Sequence, residues 1–309
     1  MHSESVTIAI AQSTAAFFDV PRSMEKIAVL SGEAKRQGCS LILFPESYLP
    51  GYPRGMTFGA NIGSRSKSGR QLWQSYWEQS ISIESDEVRD LGIIAKENRL
   101  YLVIGVTERD LLNRSLYCSM FIFDPDGTLI GKHRKIKPTG TERVIWAEGN
   151  GDSLVTYNTP LGRIGGLICW ENYMPLARMA LYTAGVDIYL APTADSRRSW
   201  LATMQHIACE GRCYVLSCNQ FFQLKDYPES VKDHLDGKQP DIISAGGSLA
   251  VDPMGNIIAG PIWNREELLT VELDIGKLIQ SKFDFDPIGH YTRNDLFSYH
   301  LKASQNNSS

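Results

Sequence analysis

The sequence predicts an α/β fold in which two similar halves contribute two packed sheets. Short β-rich runs alternate with segments that carry apolar residues at helical spacing, which is the pattern of repeated strand–helix units. A second observation is the motif x-D-P-x-G-x-x-I, which occurs at 123–130 and again at 251–258. Because Asp, Pro and Gly in that order favour a turn between strands, each copy predicts a hairpin in its half.

The predicted elements have the same order in the two halves. The first half has strands at 6–12, 41–45, 101–106 and 117–123, with helices at 22–36 and 88–99. The second half has strands at 163–168, 186–191, 214–218 and 248–252, with helices at 175–184 and 200–212. Several strands are apolar at both odd and even positions, which indicates that both of their faces are covered.

Two long connections interrupt this alternation. The segment 52–82 is polar, rich in glycine and aromatic, and its part 63–69 is predicted to be an exposed loop. Because it follows a strand end, the segment is expected to border a pocket; 225–241 is another long connection. No Ser/Pro-rich linker separates the halves, so residues 1–299 are predicted to form one domain followed by a polar tail at 300–309.

The composition of the 309-residue chain is that of a globular protein, with 43% hydrophobic and 21% charged residues. A net charge of -4 argues against nucleic acid or an anionic membrane as a partner. No apolar run reaches the roughly 18 residues of a membrane span. The N-terminus lacks the basic segment and long apolar core of a secretory signal. We therefore expect a cytoplasmic protein.

The six cysteines predict neither a disulfide framework nor a zinc site, because they lack the paired spacing of zinc ligands. His206, Cys209 and Cys213 have the spacing of one helix face. No fourth ligand accompanies them, and free cysteine is among the most buried residue types. We interpret the three as a packed helix face rather than a metal site.

Three reactive side chains follow predicted strands. Glu46 ends the run L-I-L-F-P-E, Lys135 lies in G-K-H-R-K-I-K-P at 131–138, and Cys169 follows I-G-G-L-I. Each has an ordinary alternative: a solvated carboxylate, a lysine on a wet sheet edge, and a buried apolar filler. Because ligands of α/β sheets gather at the carboxyl ends of strands, we expect the three to converge on one cleft.

Cysteine, glutamate and lysine form a workable nucleophilic set. An unperturbed thiol has a pKa of about 8.5, and a nearby ammonium or a proton-accepting carboxylate raises the thiolate fraction. Gly165 and Gly166 before Cys169 permit close backbone approach, as in a nucleophile elbow. The rival is a Cys–His dyad with one of three histidines: His133, His206 or His290. Serine-hydrolase, kinase, dehydrogenase and zincin motifs do not occur.

Together, the three motifs resemble the signatures of the nitrilase, or carbon–nitrogen hydrolase, superfamily. They are L-F-P-E at Glu46, H-R-K-I-K-P-T around Lys135 and L-I-C-W-E-N around Cys169. Further segments are similar to the true nitrilase branch, with its plant and microbial members: P-T-G-T-E-R-V-I-W, A-P-T-A-D-S-R, E-G-R-C-Y-V-L and D-F-D-P-I-G-H-Y. The resemblance implies a four-layer α-β-β-α sandwich with two pseudo-equivalent halves.

The resemblance also implies roles for individual residues. Glu46 matches the general base, Lys135 the charge-stabilising partner and Cys169 the nucleophile. Glu142 matches a second glutamate of the family's site, although a surface ion pair with Arg143 is an alternative. The backbone N–H of Trp170 is expected to help stabilise an anionic intermediate.

Further residues are candidates for the pocket wall or its support: Tyr52, Trp146, Thr193 and His290. For Tyr52 and Trp146 the alternative is aromatic packing, and for His290 it is anchoring of the C-terminal segment. The sequence departs from many relatives at 146–151, where W-A-E-G-N-G replaces W-G-x-G-D-G. This change is expected to alter the loop and to leave the three catalytic positions intact.

The activity implied by the resemblance is hydrolysis of an organic nitrile to a carboxylic acid and ammonia through a thioimidate and a thioester on Cys169. The reaction needs the nitrile and water and no metal or organic cofactor, since sulfur is the nucleophile and side chains move the protons. The alternatives are a cyanide hydratase or an amidase of the same superfamily, and a catalytically silent binding or scaffold protein. Self-association into dimers and larger spirals is also implied.

Overall fold

The computed structural model of the chain describes residues 5–302. The first half of the chain contributes most of one sheet and the helices that cover it. The N-terminal four residues and 303–309, which include most of the predicted tail, lie outside the described residues. In chain order the elements are β1 (Ser5–Gln12), α1 (Val20–Arg36), β2 (Leu41–Leu43), β3 (Ala60–Asn61), β4 (Ser64–Arg65), α2 (Lys67–Gln79), α3 (Asp86–Asn98), β5 (Tyr101–Arg109), β6 (Leu116–Phe123) and β7 (Leu129–Arg134).

The second half begins after two short 3-10 turns, Gly140–Val144 and Gly151–Ser153. Another 3-10 turn, Cys169–Tyr173, follows the second strand of this half. The elements are β8 (Tyr157–Thr159), β9 (Gly162–Gly166), α4 (Pro175–Thr183), β10 (Ile188–Pro192), α5 (Ser199–Gly211), β11 (Tyr214–Cys218), β12 (Phe221–Gln223), α6 (Glu229–Lys232), β13 (Ile242–Val251), β14 (Ile257–Trp263), β15 (Glu267–Asp274) and α7 (Gly276–Ser281).

The two large sheets have the same pairing pattern. The first has the order β15-β1-β2-β5-β6-β7, with β1, β2 and β5 parallel and the outer pairs antiparallel. The second has the order β8-β9-β10-β11-β13-β14, with β9, β10 and β11 parallel and the outer pairs antiparallel. Strand β12 also pairs with β13. The duplication predicted from the two turn motifs is confirmed.

Alternate residues of each strand enter different cores, because successive side chains point to opposite faces of a sheet. Ile8 and Ile10 belong to the central core, which also contains Leu190 of the second sheet. Ala9 of β1 packs in the outer core with α1 and α3, and Tyr189 of β10 packs in another with α4 and α5. The layers are therefore helices, sheet, sheet and helices, as the four-layer sandwich predicts.

Both predicted hairpins form around the same hydrogen bonds. The backbone N–H of Gly127 donates to the carbonyl of Asp124 at 2.9 Å, and that of Gly255 donates to Asp252 at 2.9 Å. Each aspartate also caps its turn, because Oδ1 accepts a backbone N–H four residues later, at 2.8 Å for Asp124 and 3.0 Å for Asp252. The two turns connect β6 with β7 and β13 with β14.

Several elements differ from the prediction. Residues 63–69, expected to be a loop, contain the end of a small β3–β4 hairpin and the first turn of α2. The Ser66 hydroxyl caps α2 by accepting the N–H of Gly69 at 2.9 Å. Strand β15 was not predicted either, and it forms the edge of the first sheet beside β1.

The prediction that His206, Cys209 and Cys213 share one helix face is also wrong. Helix α5 ends at Gly211, and Arg212 has a positive φ of 49°, so the chain turns before Cys213. His206 is exposed, whereas Cys213 is buried in the outer core of the second sheet. Within residues 5–302, no helix combines the length and the apolar character that crossing a bilayer requires.

Candidate active site

Three reactive side chains lie where segments leave the two sheets. Glu46 comes shortly after β2, Lys135 directly after β7, and Cys169 shortly after β9. The backbone N–H of Lys135 donates to the carbonyl of Cys118 at 2.7 Å, which keeps this residue beside β6. Nζ of Lys135 then donates to Oε1 of Glu46 at 2.7 Å, and both side chains are fully buried. The structure brings the two charged residues together.

Glu142 completes the buried charge cluster. Its Oε2 atom accepts a hydrogen bond from Lys135 Nζ at 2.8 Å, and its Oε1 atom accepts one from the Tyr52 hydroxyl at 2.6 Å. Arg143, the partner that a surface ion pair would use, instead donates from Nε to the Gly140 carbonyl. Glu142 therefore faces the same ammonium as Glu46.

The turn at Cys169 is strained in the manner of a nucleophile elbow. Cys169 has a φ of 52°, in the left-handed region that side chains with a Cβ rarely adopt. Just before it, Gly166 lies so close to β10 that an added Cβ would come within 2.0 Å of the Leu190 carbonyl oxygen. The glycine lets β9 and β10 approach, and the sharp turn leaves the nearly buried sulfur at the cavity wall.

Glu171 and Asn172 shape this turn. Glu171 accepts the backbone N–H of Ile168 at 2.7 Å and that of Ile136 at 2.6 Å, so one carboxylate links the chain beside Cys169 to the chain beside Lys135. Nδ2 of Asn172 donates to the Cys169 carbonyl at 2.8 Å. Both side chains are buried, and neither lines the cavity. They hold the site without facing the space that a substrate would occupy.

A cavity of about 470 Å³ opens in front of Cys169. Its wall includes Tyr52, Glu142, Trp146, Cys169 and Trp170, whereas Glu46 and Lys135 lie behind that wall. The Tyr52 and Trp146 rings pack edge to face, with centroids 5.7 Å apart. These two aromatic residues thus both pack together and line the cavity.

Thr193 and Trp170 border Cys169 from the second sheet. The Thr193 hydroxyl donates to Sγ of Cys169 at 3.3 Å. The indole Nε1–H of Trp170 donates to Asp195 at 2.9 Å, and the guanidinium of Arg197 lies over the indole ring at 4.7 Å. The indole is therefore fixed at the rim of the cavity, although it is 40% exposed.

Burial and charge set the protonation states of the cluster. Burial raises the pKa of Glu46 and Glu142 adds to the rise, while Lys135 opposes it. Burial by itself would lower the pKa of Lys135, but Glu46, Cys169 and Glu142 together hold it well above its ordinary value. Lys135 is therefore a permanent cation between two carboxylates.

The sulfur is protonated at rest. Burial raises the pKa of the Cys169 thiol, and the negative charge of Glu46 raises it further, against a smaller opposing effect of Lys135. Lys135 lowers the thiol pKa, the direction expected of a nearby ammonium, but the larger effects of burial and of Glu46 keep the sulfur protonated. Oε2 of Glu46 is buried, and no nitrogen or oxygen atom of the described residues forms a hydrogen bond with it. This oxygen is therefore available to accept the proton of the Cys169 thiol.

The structure does not bring the histidines to the sulfur. His133 bonds to Ser153 and Glu171, and His206 lies 3.6 Å from Glu210. The pocket role predicted for His290 is also not supported, because its exposed ring donates to the Lys282 carbonyl at 2.9 Å within the same C-terminal segment. That contact fits the alternative of anchoring this segment.

Two residues near the site were missed in the sequence. The thiol of Cys118 donates to Oε1 of Glu46 at 3.5 Å from the middle of β6. Arg54 lines the cavity, and its Nη2 atom donates to the Ala194 carbonyl. Cys118 lies within an apolar strand and Arg54 within a long connection, so neither has a local signal that distinguishes it from packing or surface residues.

The fold and this arrangement of side chains define the class of protein. A model of the carbon–nitrogen hydrolase family matches residues 7–283, which is most of the chain. The chain belongs to the carbon–nitrogen hydrolase family and is therefore a hydrolase. The three strand-end motifs predicted this family correctly.

Within that family, the chain is similar to plant and bacterial nitrilases. It is 46% identical over 298 residues to a bifunctional nitrilase/nitrile hydratase of Nicotiana tabacum, covering 95% of this chain and 85% of that protein. It is 45% identical over 289 residues to an aliphatic nitrilase of Sinorhizobium fredii, covering 94% and 93%. Among solved structures, a carbon–nitrogen hydrolase of Helicobacter pylori has a TM-score of 0.74 at 18% identity, covering 96% of this chain and 98% of that one. At this low sequence identity, the similarity to the solved structure shows that the fold is shared and nothing more.

Proposed function

We propose that this carbon–nitrogen hydrolase is a nitrilase that converts an organic nitrile to a carboxylic acid and ammonia. The observation that carries the proposal is the buried cluster of Glu46, Lys135 and Glu142 directly behind Cys169, whose sulfur lines a cavity. Similarity to nitrilases at 45–46% identity over nearly the whole chain supports the nitrile as the substrate class.

In the first step, Sγ of Cys169 adds to the nitrile carbon and forms a thioimidate. Because the sulfur is protonated at rest, the carboxylate of Glu46 takes its proton as the C–S bond forms. The nitrogen gains negative charge in this step, and the ammonium of Lys135 is the fixed positive charge of the buried cluster. A charge already in place stabilises the transition state without reorganisation.

In the second step, water adds to the thioimidate carbon and gives a tetrahedral intermediate. Glu46 gives the thiol proton to nitrogen and then relays both protons of this water to it, so that the C–N bond breaks, ammonia departs and a thioester remains on Cys169. A second water then releases the carboxylic acid and restores the thiol. Glu142 keeps Lys135 oriented through its 2.8 Å contact, and Tyr52 in turn holds Glu142.

The second candidate function is amide formation, as in a nitrile hydratase. The relative from Nicotiana tabacum is named as a bifunctional nitrilase/nitrile hydratase, which favours this outcome over a cyanide-specific enzyme or an amidase. Both products arise from the same tetrahedral carbon, since loss of ammonia leads to the acid and loss of sulfur leads to the amide.

A substrate panel tests the proposal. The full chain is incubated with benzonitrile, phenylacetonitrile, butyronitrile, cyanide and the matching amides, and acid, amide and ammonia are each quantified. We expect acid and ammonia from at least one organic nitrile and none from Cys169→Ala, with a circular dichroism spectrum like that of wild type. Turnover of amides alone, or of no compound, would contradict the nitrilase assignment.

Further proposals concern self-association, the extent of the domain and the location of the protein. Exposed apolar side chains along the C-terminal segment suit self-association into dimers or larger spirals: Ile279, Phe283, Leu296 and Phe297. Residues 1–299 are proposed to form one domain, and its location is proposed to be cytoplasmic. Light scattering of the full chain measures the assembly size directly.

A further inference from the structure

We propose that the Thr193 hydroxyl acts on the sulfur of Cys169 as a leaving-group donor and so sets how much amide the enzyme releases beside acid. The inference rests on the proposed nitrilase function and deepens it, because it assigns the partition between two products to one hydrogen bond. Thr193 would then be a catalytic residue, since its hydroxyl touches a reacting atom.

The hydroxyl of Thr193 is oriented toward the sulfur. Thr193 directly follows β10 and is 1% exposed, and its Oγ1 atom lies 3.3 Å from Sγ of Cys169. The backbone N–H of Asp195 donates to the same Oγ1 atom at 3.0 Å. Because the oxygen accepts from Asp195, its own hydrogen is available to point at the sulfur.

Asp195 is itself held in place. Its carboxylate accepts the indole N–H of Trp170 at 2.9 Å and the Nε–H of Arg197 at 2.9 Å. These bonds fix the loop after β10, and through it the position of the Thr193 oxygen. The donor is therefore preorganised, which makes its hydrogen bond effective at the moment when charge appears on sulfur.

Thr193 approaches the sulfur from the second sheet, whereas Glu46 and Lys135 belong to the first. The ammonium of Lys135 is engaged by Glu46 and Glu142 at 2.7 and 2.8 Å. Thr193 instead directs a neutral donor at the sulfur, and this hydrogen bond acts to lower the thiol pKa against the larger effect of burial.

The two product branches place charge on different atoms. In the intermediate, one carbon carries the hydroxyl from water, the amino group and the sulfur of Cys169. On the acid branch Glu46 takes the hydroxyl proton and passes it to the amino nitrogen, the C–N bond breaks, and its electron pair leaves with nitrogen as ammonia. On the amide branch the C–S bond breaks, the electron pair goes to sulfur, and the same hydroxyl proton again passes to Glu46.

A donor on sulfur favours the second branch. A hydrogen bond to a thiolate is stronger than one to a thioether sulfur, because the acceptor is charged. Thr193 therefore stabilises the transition state for C–S cleavage and has little effect on C–N cleavage, in which sulfur stays bonded. Glu46 afterwards returns its proton to the thiolate, and the sum of the steps is nitrile plus one water giving amide.

The test compares Thr193→Val, which keeps the shape and loses the hydroxyl, with Thr193→Ser, which keeps the hydroxyl. Acid and amide are quantified from the best nitrile of the panel, with phenylacetonitrile as the first probe. We expect wild type and Thr193→Ser to release measurable amide, and the amide-to-acid ratio of Thr193→Val to fall by roughly fivefold or more, the factor of one ordinary hydrogen bond. The ratio does not depend on how much active protein each sample contains.

The controls separate this proposal from general loss of function. Thr156→Val removes a threonine hydroxyl that bonds the Ala184 carbonyl outside the cavity, and its ratio should equal that of wild type. A wild type without measurable amide, or an unchanged or higher ratio in Thr193→Val, would overturn the role of Thr193. Failure of wild type to consume any organic nitrile would instead contradict the proposed function itself.

Discussion

At the scale of single residues, the site depends on a thiol that is kept neutral. Burial and the charge of Glu46 both raise the pKa of Cys169, so a stable thiolate does not form before substrate is bound. Burial likewise raises the pKa of Glu46, which makes this carboxylate a stronger base than a solvated one. The proton therefore moves from sulfur to Glu46 as the sulfur attacks.

This arrangement predicts a specific pH dependence. Glu46 acts as a base only when ionised, so kcat/KM falls as the pH falls through the raised pKa of Glu46. The negative charge of Glu142 contributes to that raised pKa. In Glu142→Gln the charge is lost, so the acid limb of the kcat/KM profile should move to lower pH, even though the rate itself decreases.

The matched control is Glu148→Gln, which removes a half-exposed carboxylate paired with Lys137. It should leave the acid limb in place, because a solvated charge acts weakly on a buried site. A limb that stays fixed or moves to higher pH in Glu142→Gln would show that Glu46 is not the group that limits activity at low pH.

Some of these site residues can be predicted from sequence motifs, and others cannot. Glu46, Lys135 and Cys169 can be found because each reactive side chain interrupts an apolar or strand-like run. The contact of Cys118 with Glu46 cannot be found in this way, since it depends on the pairing of β2 with β5 and of β5 with β6 within one sheet. The contact of His290 with the Lys282 carbonyl cannot be found from the sequence either, because a short motif does not reveal where its segment packs.

At the scale of elements, one buried carboxylate joins two catalytic segments. The two oxygens of Glu171 accept the N–H groups of Ile136 and Ile168, the residues next to Lys135 and Cys169. His133 adds a third contact at 3.0 Å. The relative position of the ammonium and the sulfur therefore depends on a side chain that faces neither substrate nor solvent.

Glu171→Gln should weaken this connection. The amide has one accepting oxygen, so one of the two buried N–H groups loses its partner and faces the amide nitrogen. We expect the free energy of unfolding to fall by about 2 kcal/mol in urea denaturation and kcat to fall in protein that remains folded. Glu229→Gln, an exposed surface change, is the control, and equal stability of both variants would contradict the structural role of Glu171.

Elements with strong periodicity were predictable, and those stabilised by long-range packing were not. Helices α1, α3, α4 and α5 lie within a few residues of their predicted ranges, because each buries an apolar face. The polar, glycine-rich sequence around helix α2 predicts a connection instead, and only Gly69, Leu72 and Tyr76 of this helix are buried. Strand β15 was missed because its place beside β1 requires residues that are far apart in sequence to pair.

At the scale of the whole molecule, the duplicated halves supply different chemistry at equivalent positions. Strands β2 and β10 are the corresponding central strands of the parallel part of each sheet. Near the end of each strand a proline precedes the active-site side chain, Pro45 before Glu46 and Pro192 before Thr193. The first half thus provides a carboxylate and the second half a hydroxyl, and Cys169 lies between them.

The fold explains why these side chains meet. Parallel strands of both sheets end at the same side of the sandwich, and the face-to-face packing brings the two sets of strand ends together. Segments that follow β2, β7, β9 and β10 supply Glu46, Lys135, Cys169 and Thr193. Convergence at the strand ends was predictable from the sequence, whereas the individual distances depend on how the two sheets pack.

The most direct test of the central claim, that Cys169 forms a covalent acyl intermediate with the nitrile carbon, is mass spectrometry of the protein during turnover. Wild-type protein is quenched with acid while it consumes phenylacetonitrile, and its peptides are analysed. Attack by Cys169 predicts a phenylacetyl or phenylacetimidoyl group on the peptide that contains this residue, and no modified peptide or turnover in Cys169→Ala. Turnover of the nitrile by folded Cys169→Ala at the wild-type rate, or an acyl group found only on another residue, would contradict it.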